Sequence, residues 1–357
     1  MKILIPFIIL TALAFGHNAL EHKHPELIPI PAYNAEISAS AASANKAISA
    51  FLDSLTEAEK KDLVFVFDAE ERFGWSNLPA GFVSRVGINV GSLSEDQRTL
   101  LFNFLSSSLS KEGYASVSEI MAAEGFLSHD ERAARIQWAP ENYWLSLYGE
   151  PGEGLTWGWQ FGGHHLAINI TITPDSIKSV SPTFLGIEPA EFSYKGEKYS
   201  LLPSMHKEGV DLFESLTDEQ QAESSFETFP KGLAVGPGKH RYVPEMSGIS
   251  VAELNEEQRK RVLALLNRWV GVQPVESAEV RMTEIEKELT SSYFSFIGEY
   301  GLNKKCYFRI QGPSFIAEFL SVSRSAGEEA VGKGHYHTVY RNLNLDYGGI
   351  KSKSEGE

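Results

Sequence analysis

Two histidine motifs, one in the middle of the chain and one near its end, contain the residue types best suited to metal chemistry. The first is His164–His165 within WGWQFGGHHLAINITI, and the second is His335 and His337 within HYHTVYRN. Residues two apart on a strand point to one face with Cα atoms about 6–7 Å apart, so both imidazoles can reach one ion. Three-histidine sites often take two ligands in this way and the third from another strand. We therefore expect His335 and His337 to bind a metal ion together with His165 or His164.

Strand alternation gives the two adjacent histidines different surroundings. If both lie in a strand, His164 shares a face with Leu166 and the isoleucines that follow, whereas His165 shares the other face with Asn169 and the threonines. His165 is therefore the expected third ligand, and His164 a fourth ligand or a neighbour of the site. Among divalent transition metals that accept imidazole, we favour zinc or copper. The alternative is that the histidines make only structural contacts.

Further side chains are candidates for a role beside the metal. Arg341 follows His337 on the same face of its strand and could clamp a carboxylate or a phosphate, which makes Arg341 and Asp346 candidate catalytic residues. The alternative for Arg341 is a structural ion pair with Asp346. The aromatic residues Trp157, Trp159 and Phe161 also alternate on one face, a pattern typical of a sugar-stacking platform or, as we favour, of core packing.

Composition and missing motifs exclude several functional classes. The sequence contains no G-x-S-x-G elbow, H-E-x-x-H helix, P-loop or dinucleotide-binding fingerprint. A formal net charge of −15 argues against nucleic acids and anionic membranes as partners. Cys306 is the only cysteine, so no intrachain disulfide can form, and we expect a buried, inert thiol. The expected partner is a small-molecule substrate or ligand, whose identity the sequence does not give.

The first sixteen residues, MKILIPFIILTALAFG, are typical of a secretory signal peptide. A lysine precedes an apolar run that ends in small residues suited to cleavage after Ala14 or Gly16. No other apolar run approaches the length of a membrane span. The sequence therefore predicts a secreted or periplasmic protein without membrane contact after cleavage, with residues 17–357 forming one domain.

Four similar helix starts indicate an internal duplication. They begin at Thr56, Ser94, Thr217 and Asn255, each followed three residues later by Glu or Gln, the capping-box pattern. The separation of 38 positions between the first two recurs between the last two. The correspondence continues into the segments around His164 and Pro313, where His164 and His165 align with Pro313 and Ser314, so only the first copy has histidines at these positions. We infer halves at about residues 50–175 and 212–325, each with two helices followed by a two-stranded hairpin.

The expected fold is therefore α+β, with pseudo-symmetric helix-helix-hairpin units that share one antiparallel sheet. An Ala/Ser-rich segment before the first half has helical spacing at Ile37, Ala41, Ile48 and Leu52 and predicts an N-terminal helix. The segment PTFLGIEPAEFSYKGEKYSLLP between the halves predicts a connecting strand and loops. The composition of SAGEEAVGKG predicts a mobile loop, and residues 335–349 then form a closing strand.

Three motifs, in this order, resemble a family of uncharacterised secreted proteins known as domain-of-unknown-function family 3500: WGWQFGGHHLAINIT, PTFLGIEPA and HYHTVYRNLNLDYGG. The resemblance extends from about Leu55 to Gly349. An arginine common in the first motif is Gln160 here, so an essential charge at that position is not implied. The family carries no established activity, so the resemblance supports the choice of the four histidines, Arg341 and Asp346 without naming a reaction.

The sequence thus favours a metal-dependent enzyme, most plausibly a hydrolase. His165, His335 and His337 would hold the ion, and a water bound to it would attack a carbonyl or phosphoryl centre oriented by Arg341. Two alternatives remain open at this point. One is a binding protein that holds a metal or small ligand without turnover, and the other is a set of purely structural histidines.

Overall fold

The computed structural model describes residues 29–299, 304–322 and 334–352. Within these ranges the chain forms α-helices and β-strands in a mixed α+β arrangement. The α-helices are α1 (Ala41–Asp53), α2 (Glu57–Leu63), α3 (Glu95–Ser108), α4 (Lys111–Leu127), α5 (Ala133–Ile136), α6 (Pro203–Glu214), α7 (Asp218–Ser224), α8 (Glu256–Val270) and α9 (Val275–Glu288).

The strands form one large sheet and one small hairpin. They are β1 (Val64–Phe65), β2 (Ile88–Asn89), β3 (Tyr143–Tyr148), β4 (Trp157–Gly163), β5 (Leu166–Ile172), β6 (Ile177–Ile187), β7 (Glu191–Tyr194), β8 (Glu197–Ser200), β9 (Ile249–Ser250), β10 (Tyr293–Gly298), β11 (Cys306–Gln311), β12 (Phe315–Val322) and β13 (His335–Asn342). The large sheet has the order β1-β3-β4-β5-β6-β13-β12-β11-β10-β9, with β2 also paired to β3. Strands β7 and β8 pair only with each other in the described residues.

All four expected capping boxes are present. Thr56, Ser94, Thr217 and Asn255 each accept a backbone hydrogen bond at the start of a helix, and the side chain three residues later returns the bond. These reciprocal bonds satisfy amide groups that have no partner inside the helix. The N-terminal helix is also present but begins at Ala41, because the Ser40 side chain caps it. Ile37 lies before that helix rather than within it.

The large sheet is centred on a pair of antiparallel strands that are distant in sequence. β6 pairs with β13 from Thr183–Tyr340 to Ile187–Tyr336, and β5-β4-β3 and β12-β11-β10 extend the sheet on either side. The expected antiparallel sheet is therefore observed over most of its width, but β1 joins β3 in parallel and makes the sheet mixed. The expected halves also end before β6 and β13, which are the strands that join the two sides.

Each face of the sheet is covered by a different kind of structure. Helices cover one face in two apolar clusters, and the segments around Phe73, Leu233 and Tyr347 cover the other. Trp157, Trp159 and Phe161 are fully buried, and Phe104 of α3 packs against both tryptophans. These aromatic rings are therefore core, as we favoured, and do not form an exposed platform.

Two expectations lie outside the described residues. The signal segment 1–16 and nearly all of the loop 325–334 fall there, so both stay predictions. Over the described ranges, the search for a helix with the length and apolar character needed to cross a bilayer finds none.

Candidate metal centre

Three histidines come together where β4 ends and where β5 and β13 begin, next to the central strand β6. β4 and β5 are joined by a two-residue turn, His164–His165, and β13 begins at His335. β6 lies between these two elements and pairs Gly186 with His337. Because side chains alternate along a strand, His335 and His337 point to the same face, where His165 approaches from the turn. The convergence of middle and C-terminal segments that the sequence predicted is therefore observed.

The ring nitrogens of these histidines are within ligand distance of one another. His335 Nε2 lies 3.0 Å from His165 Nε2 and 3.0 Å from His337 Nε2. One ligand atom from each of the three residues lies within 4.8 Å of those of the other two. Tetrahedral zinc with Zn–N bonds of 2.0–2.1 Å requires N···N separations of about 3.3 Å, close to the observed spacing.

Hydrogen bonds among the three rings cannot satisfy the Nε2 atoms of His165, His335 and His337 all at once. A neutral imidazole nitrogen either carries one proton or offers one lone pair. His335 Nε2 has a histidine nitrogen on each side at 3.0 Å, so it can make a proper hydrogen bond with only one of them. The other contact is then left without a well-directed hydrogen bond. A cation that accepts one lone pair from each ring satisfies all three nitrogens at once.

Burial keeps two of the rings in the form that binds metals. The pKa of His165 lies well below its usual range, chiefly because the ring is buried and then because of His164, His335 and His337. Burial likewise lowers the pKa of His337, with smaller effects from His335 and His164. Neutral imidazole is the metal-binding form of histidine. The surroundings therefore favour coordination over protonation at these two candidate ligands.

The family model described as "Protein of unknown function (DUF3500)" matches residues 38–349, nearly the whole chain. The chain belongs to the DUF3500 family. No curated protein and no solved structure matches the chain. The chemistry of this DUF3500 member must therefore be inferred from its own site.

The turn that presents His165 differs from the expectation for this segment. His164 and His165 were expected inside a strand, but they form the turn of the β4–β5 hairpin, and that expectation was wrong. His165 has a φ of +60°, in the left-handed region that histidine adopts more readily than most residues. Its N–H donates to Asn77 O (3.1 Å), and its carbonyl accepts from Gly186 N–H (2.7 Å). These bonds fix the backbone and therefore the direction of the ring.

His164 lies beside the triad and outside it. Its ring stacks on His165 with 3.8 Å between ring centroids, and its Nδ1 lies 2.7 Å from Glu124 Oε2. On its other side the ring stacks on Trp138 at 6.2 Å. The geometry therefore fits a packing partner of the ligand His165 better than a fourth ligand. It also places an imidazole and a buried carboxylate next to the candidate centre.

Sequence reasoning missed three residues that support the histidines. Glu188 is buried and places Oε2 3.5 Å from His335 Nδ1, and Glu124 of α4 holds His164. At Gly186, an added Cβ would lie 3.0 Å from Cδ2 of both His165 and His337. One signal in the sequence was usable: Glu124 is a lone acid in the apolar run IMAAEGFL. Such an acid on a buried helix face needs a partner.

Arg341 and Asp346, the candidate catalytic pair of this DUF3500 chain, are engaged with each other and with a loop. Arg341 Nε donates to Asp346 Oδ2 (2.6 Å), and both side chains are nearly fully buried. The remaining guanidinium nitrogens donate to the carbonyls of Lys239, His240 and Tyr242. The structural ion pair named as the alternative is therefore present. A catalytic role for the two residues stays a prediction that these contacts do not favour.

Proposed function

We propose that the protein binds one divalent transition-metal ion through His165, His335 and His337. The observation that carries this proposal is His335 Nε2, which lies 3.0 Å from two other imidazole nitrogens and can hydrogen-bond to only one. Zinc and copper are the ions we favour, because both bind several imidazoles. Iron and manganese are weaker candidates, since each normally takes oxygen ligands as well.

We further propose that the bound ion serves a hydrolytic enzyme. Three protein ligands leave a coordination position for water, the arrangement of catalytic zinc sites, and the ion would make that water a nucleophile near neutral pH. The protein's own groups hold and shield this centre. Glu188 orients His335 from outside the ligand shell, a support typical of metal-binding histidines. The stacked ring of His164, tied to Glu124, limits the movement of His165.

Arg341 is left out of this proposal. Its Nε, Nη1 and Nη2 all donate to protein acceptors, so binding a substrate anion would first require breaking those bonds. The proposed substrate is a small molecule that binds at the metal centre without contacting Arg341. Nucleic acid and anionic membranes stay disfavoured by the net charge of −15.

Metal analysis of tag-free protein tests the proposal. His17, His22 and His24 are changed to alanine, so that a histidine-rich N terminus cannot bind copper on its own. We expect close to one equivalent of zinc or copper after reconstitution and dialysis. We expect loss of that equivalent in His335→Asn and in His337→Asn, but not in the control His129→Gln. Less than about 0.2 equivalents in the otherwise native protein would defeat the proposal, given the tight binding of structured three-ligand sites.

The same protein and variants distinguish a hydrolase from a binding protein and from purely structural histidines. A hydrolase should turn over members of ester, phosphate or peptide libraries only when loaded with metal. A metal-loaded protein that shows no turnover, but whose melting temperature shifts with a small ligand, would indicate a binding protein. If the asparagine variants lose the same stability with and without metal in the buffer, the histidines are structural.

We also propose that the protein is exported and that its chain arose by duplication. Support for export is the apolar N-terminal segment with its small-residue cleavage sites, and N-terminal sequencing of the mature product tests it. Support for duplication is the sheet order, in which β2 to β6 on one side mirror β9 to β13 on the other, together with the four capping boxes. Superposition of residues 88–187 on 249–342 in an experimental structure tests it.

A further inference from the structure

A cavity of about 380 Å³ lies beside the start of β6, between the first turns of α1 and α9 and the end of β13. This volume is within the roughly 300–1,000 Å³ typical of small-molecule sites. Its β6 wall is formed by residues 177–181, whereas the candidate metal centre packs on Gly186 of the same strand. Ser179 and Gly186 are seven positions apart, about 23 Å at the usual strand rise. The cavity is therefore separate from the candidate metal centre.

Two carboxamide side chains in the cavity wall have hydrogen-bonding atoms without a protein partner. Gln273 lies just before α9, and Asn342 ends β13. The amide oxygen and nitrogen of Gln273 make no hydrogen bond to the described residues, and neither does Asn342 Nδ2, although Asn342 Oδ1 accepts the N–H of Asn344 at 3.2 Å. Gln273 is 6% exposed and Asn342 is 5% exposed, but these three atoms keep solvent-accessible surface. They are therefore open to a ligand that enters the cavity.

A carboxamide is suited to a ligand that carries donors and acceptors side by side. Its oxygen accepts hydrogen bonds and its nitrogen donates two, all in one plane. Two neighbouring hydroxyl groups of a sugar offer the complementary pair, because each hydroxyl can both donate and accept. Ligand hydroxyls can also replace water at such atoms, since they reproduce the hydrogen bonds that water makes.

The start of α9 adds backbone donors to the same cavity. The first N–H groups of a helix have no partner inside the helix. The residue before α9 is Pro274, which makes no capping hydrogen bond, so the N–H groups of Glu276 and Ser277 stay uncapped in the described structure. Both residues line the cavity. At α1, by contrast, the Ser40 side chain caps the helix. A ligand oxygen at the start of α9 would supply the missing acceptor.

The charges around the cavity favour a neutral ligand. The buried guanidinium of Arg281 is already engaged, because Nη1 donates to Glu284 (2.7 Å) and Nε to the Tyr340 hydroxyl (2.7 Å). The other charged side chains of the wall are exposed, namely Asp175, Lys178 and Glu276. Two acids and one lysine give this rim no positive excess for an anion. The groups left open inside the cavity are neutral amides.

We propose that this cavity binds a neutral saccharide of one or two rings, with hydroxyl groups at Gln273 and at Asn342 Nδ2 and a further oxygen at the start of α9. The ring carbons would face the apolar part of the wall, which consists of Ile177, Val180, Val280 and Leu345. This recognition function depends neither on a metal ion nor on turnover at the histidines.

Saturation-transfer NMR on residues 17–357, stripped of metal with a chelator, tests this inference. The neutral probes are D-glucose, D-galactose and D-mannose. Their charged counterparts are the uronate and the 2-amino-2-deoxy form of each hexose, and N-acetylglycine methylamide presents a peptide group instead. We expect at least one hexose to bind with a Kd on the order of 1 mM and its charged counterparts to bind roughly tenfold more weakly. Binding of no hexose at about 50 mM would overturn the proposal. Tighter binding of a charged sugar or of the peptide analogue than of any hexose would also overturn it.

Variants assign the two amide contacts. Gln273→Met removes both amide atoms with little change in size, and Asn342→Asp keeps the accepting oxygen but replaces the donor Nδ2. We expect each to weaken hexose binding roughly tenfold, whereas Asn103→Asp, a half-buried site on α3 outside the cavity, should have no effect. If Asn342→Asp does not fold, Gln273→Met alone decides the point. Unchanged hexose affinity in a folded Gln273→Met protein contradicts the assignment. The double variant His335→Asn, His337→Asn should still bind the hexose, so failure of one site does not imply failure of the other.

Discussion

His165 Nε2 and His335 Nε2 lie 3.0 Å apart, although 170 positions separate the two residues in the chain. The contact depends on β6 and β13, which pair at the centre of the sheet and bring the start of β13 next to the β4–β5 turn. The candidate metal centre is thus assembled by the same long-range pairing that joins the two sides of the fold. Its loss or occupation should therefore be measurable as a change in stability.

Removal of the metal should lower the melting temperature. A ligand present at about 100 times its Kd stabilises the folded state by about 2.7 kcal/mol, provided that the unfolded chain does not bind it. For a chain of this size, that corresponds to several degrees. We expect a chelator to lower the melting temperature of the metal-loaded protein and of His129→Gln, and to have no effect on His337→Asn. Equal shifts in all three would contradict the assignment of the ligands.

Gly186→Ala should weaken metal binding without removing a ligand. The new Cβ would lie 2.9 Å from Tyr336 O and 3.0 Å from the Cδ2 atoms of His165 and His337, so both rings must move. We expect roughly tenfold weaker metal binding, measured by competition with a chromophoric chelator, because ligand orientation sets affinity. The matched control is Gly232→Ala, where an added Cβ meets nothing within 4 Å. Equal affinity of the two variants would show that the rings tolerate displacement.

Glu188→Gln should also weaken metal binding, through His335. The carboxylate Oε2 lies 3.5 Å from His335 Nδ1, and partners of this kind typically contribute 10–100-fold to affinity. The amide keeps the size of the side chain but removes its charge. We expect a loss of roughly tenfold by the same chelator competition. Glu191→Gln, on the exposed side of β7, is the control and should match the wild type.

Local rules explain which parts of the fold were predictable. A capping box involves residues three apart, and the strand period is two, so the helix starts at Thr56 and Ser94 and the shared face of His335 and His337 could be predicted. The pairing of β6 with β13 could not. It depends on which of several apolar strands meet, and the sequence around Thr183 and Tyr340 does not specify that choice.

In the candidate site, too, features set by neighbouring residues could be predicted, whereas features set by tertiary packing could not. Apolar alternation resumes at Leu166, so the sequence predicts a continuous strand through the Gly-Gly-His-His segment. The structure instead closes a two-residue turn there, with His165 at a φ of +60°. Glu124 and Glu188 come from α4 and the end of β6, so their position beside the histidines depends on tertiary packing. Only the isolated charge of Glu124 in an apolar helix indicated a buried partner.

Asp346→Asn should reduce stability and leave metal binding intact. The change leaves the buried guanidinium of Arg341 without its counter-ion, and breaking such a pair typically costs about 3–5 kcal/mol. Urea denaturation measures the loss, with Glu256→Gln as the control, because its ion pair with Lys260 is exposed and should contribute less than about 1 kcal/mol. If Asp346→Asn kept wild-type stability but lost turnover, a catalytic role for the pair would be supported instead.

Glu318 should make the stability of the protein fall as pH rises above the acid range. It lies fully buried in β12, accepts backbone N–H groups from Ala234 and Val235, and is hydrogen-bonded by the Tyr307 hydroxyl. Burial nevertheless raises the pKa of Glu318, against the opposing effects of these hydrogen bonds and of Arg309. Between the ordinary glutamate pKa of about 4.3 and the raised value, the folded state therefore holds a proton that the unfolded state has released. Under this condition the free energy of unfolding decreases with increasing pH, and it levels off above the raised pKa.

Glu318→Gln isolates this contribution from that of other buried acids. The variant cannot titrate at this position, so its stability relative to the wild type should be lowest at the acid end of the window. The difference should shrink as pH rises through the window, since only the wild type then ionises a buried group. Urea denaturation from pH 4 to pH 8 at constant ionic strength measures it, with Glu257→Gln as an exposed control. A difference that grows with pH would mean that the hydrogen bonds from Ala234, Val235 and Tyr307 outweigh burial and hold the pKa of Glu318 below its ordinary value.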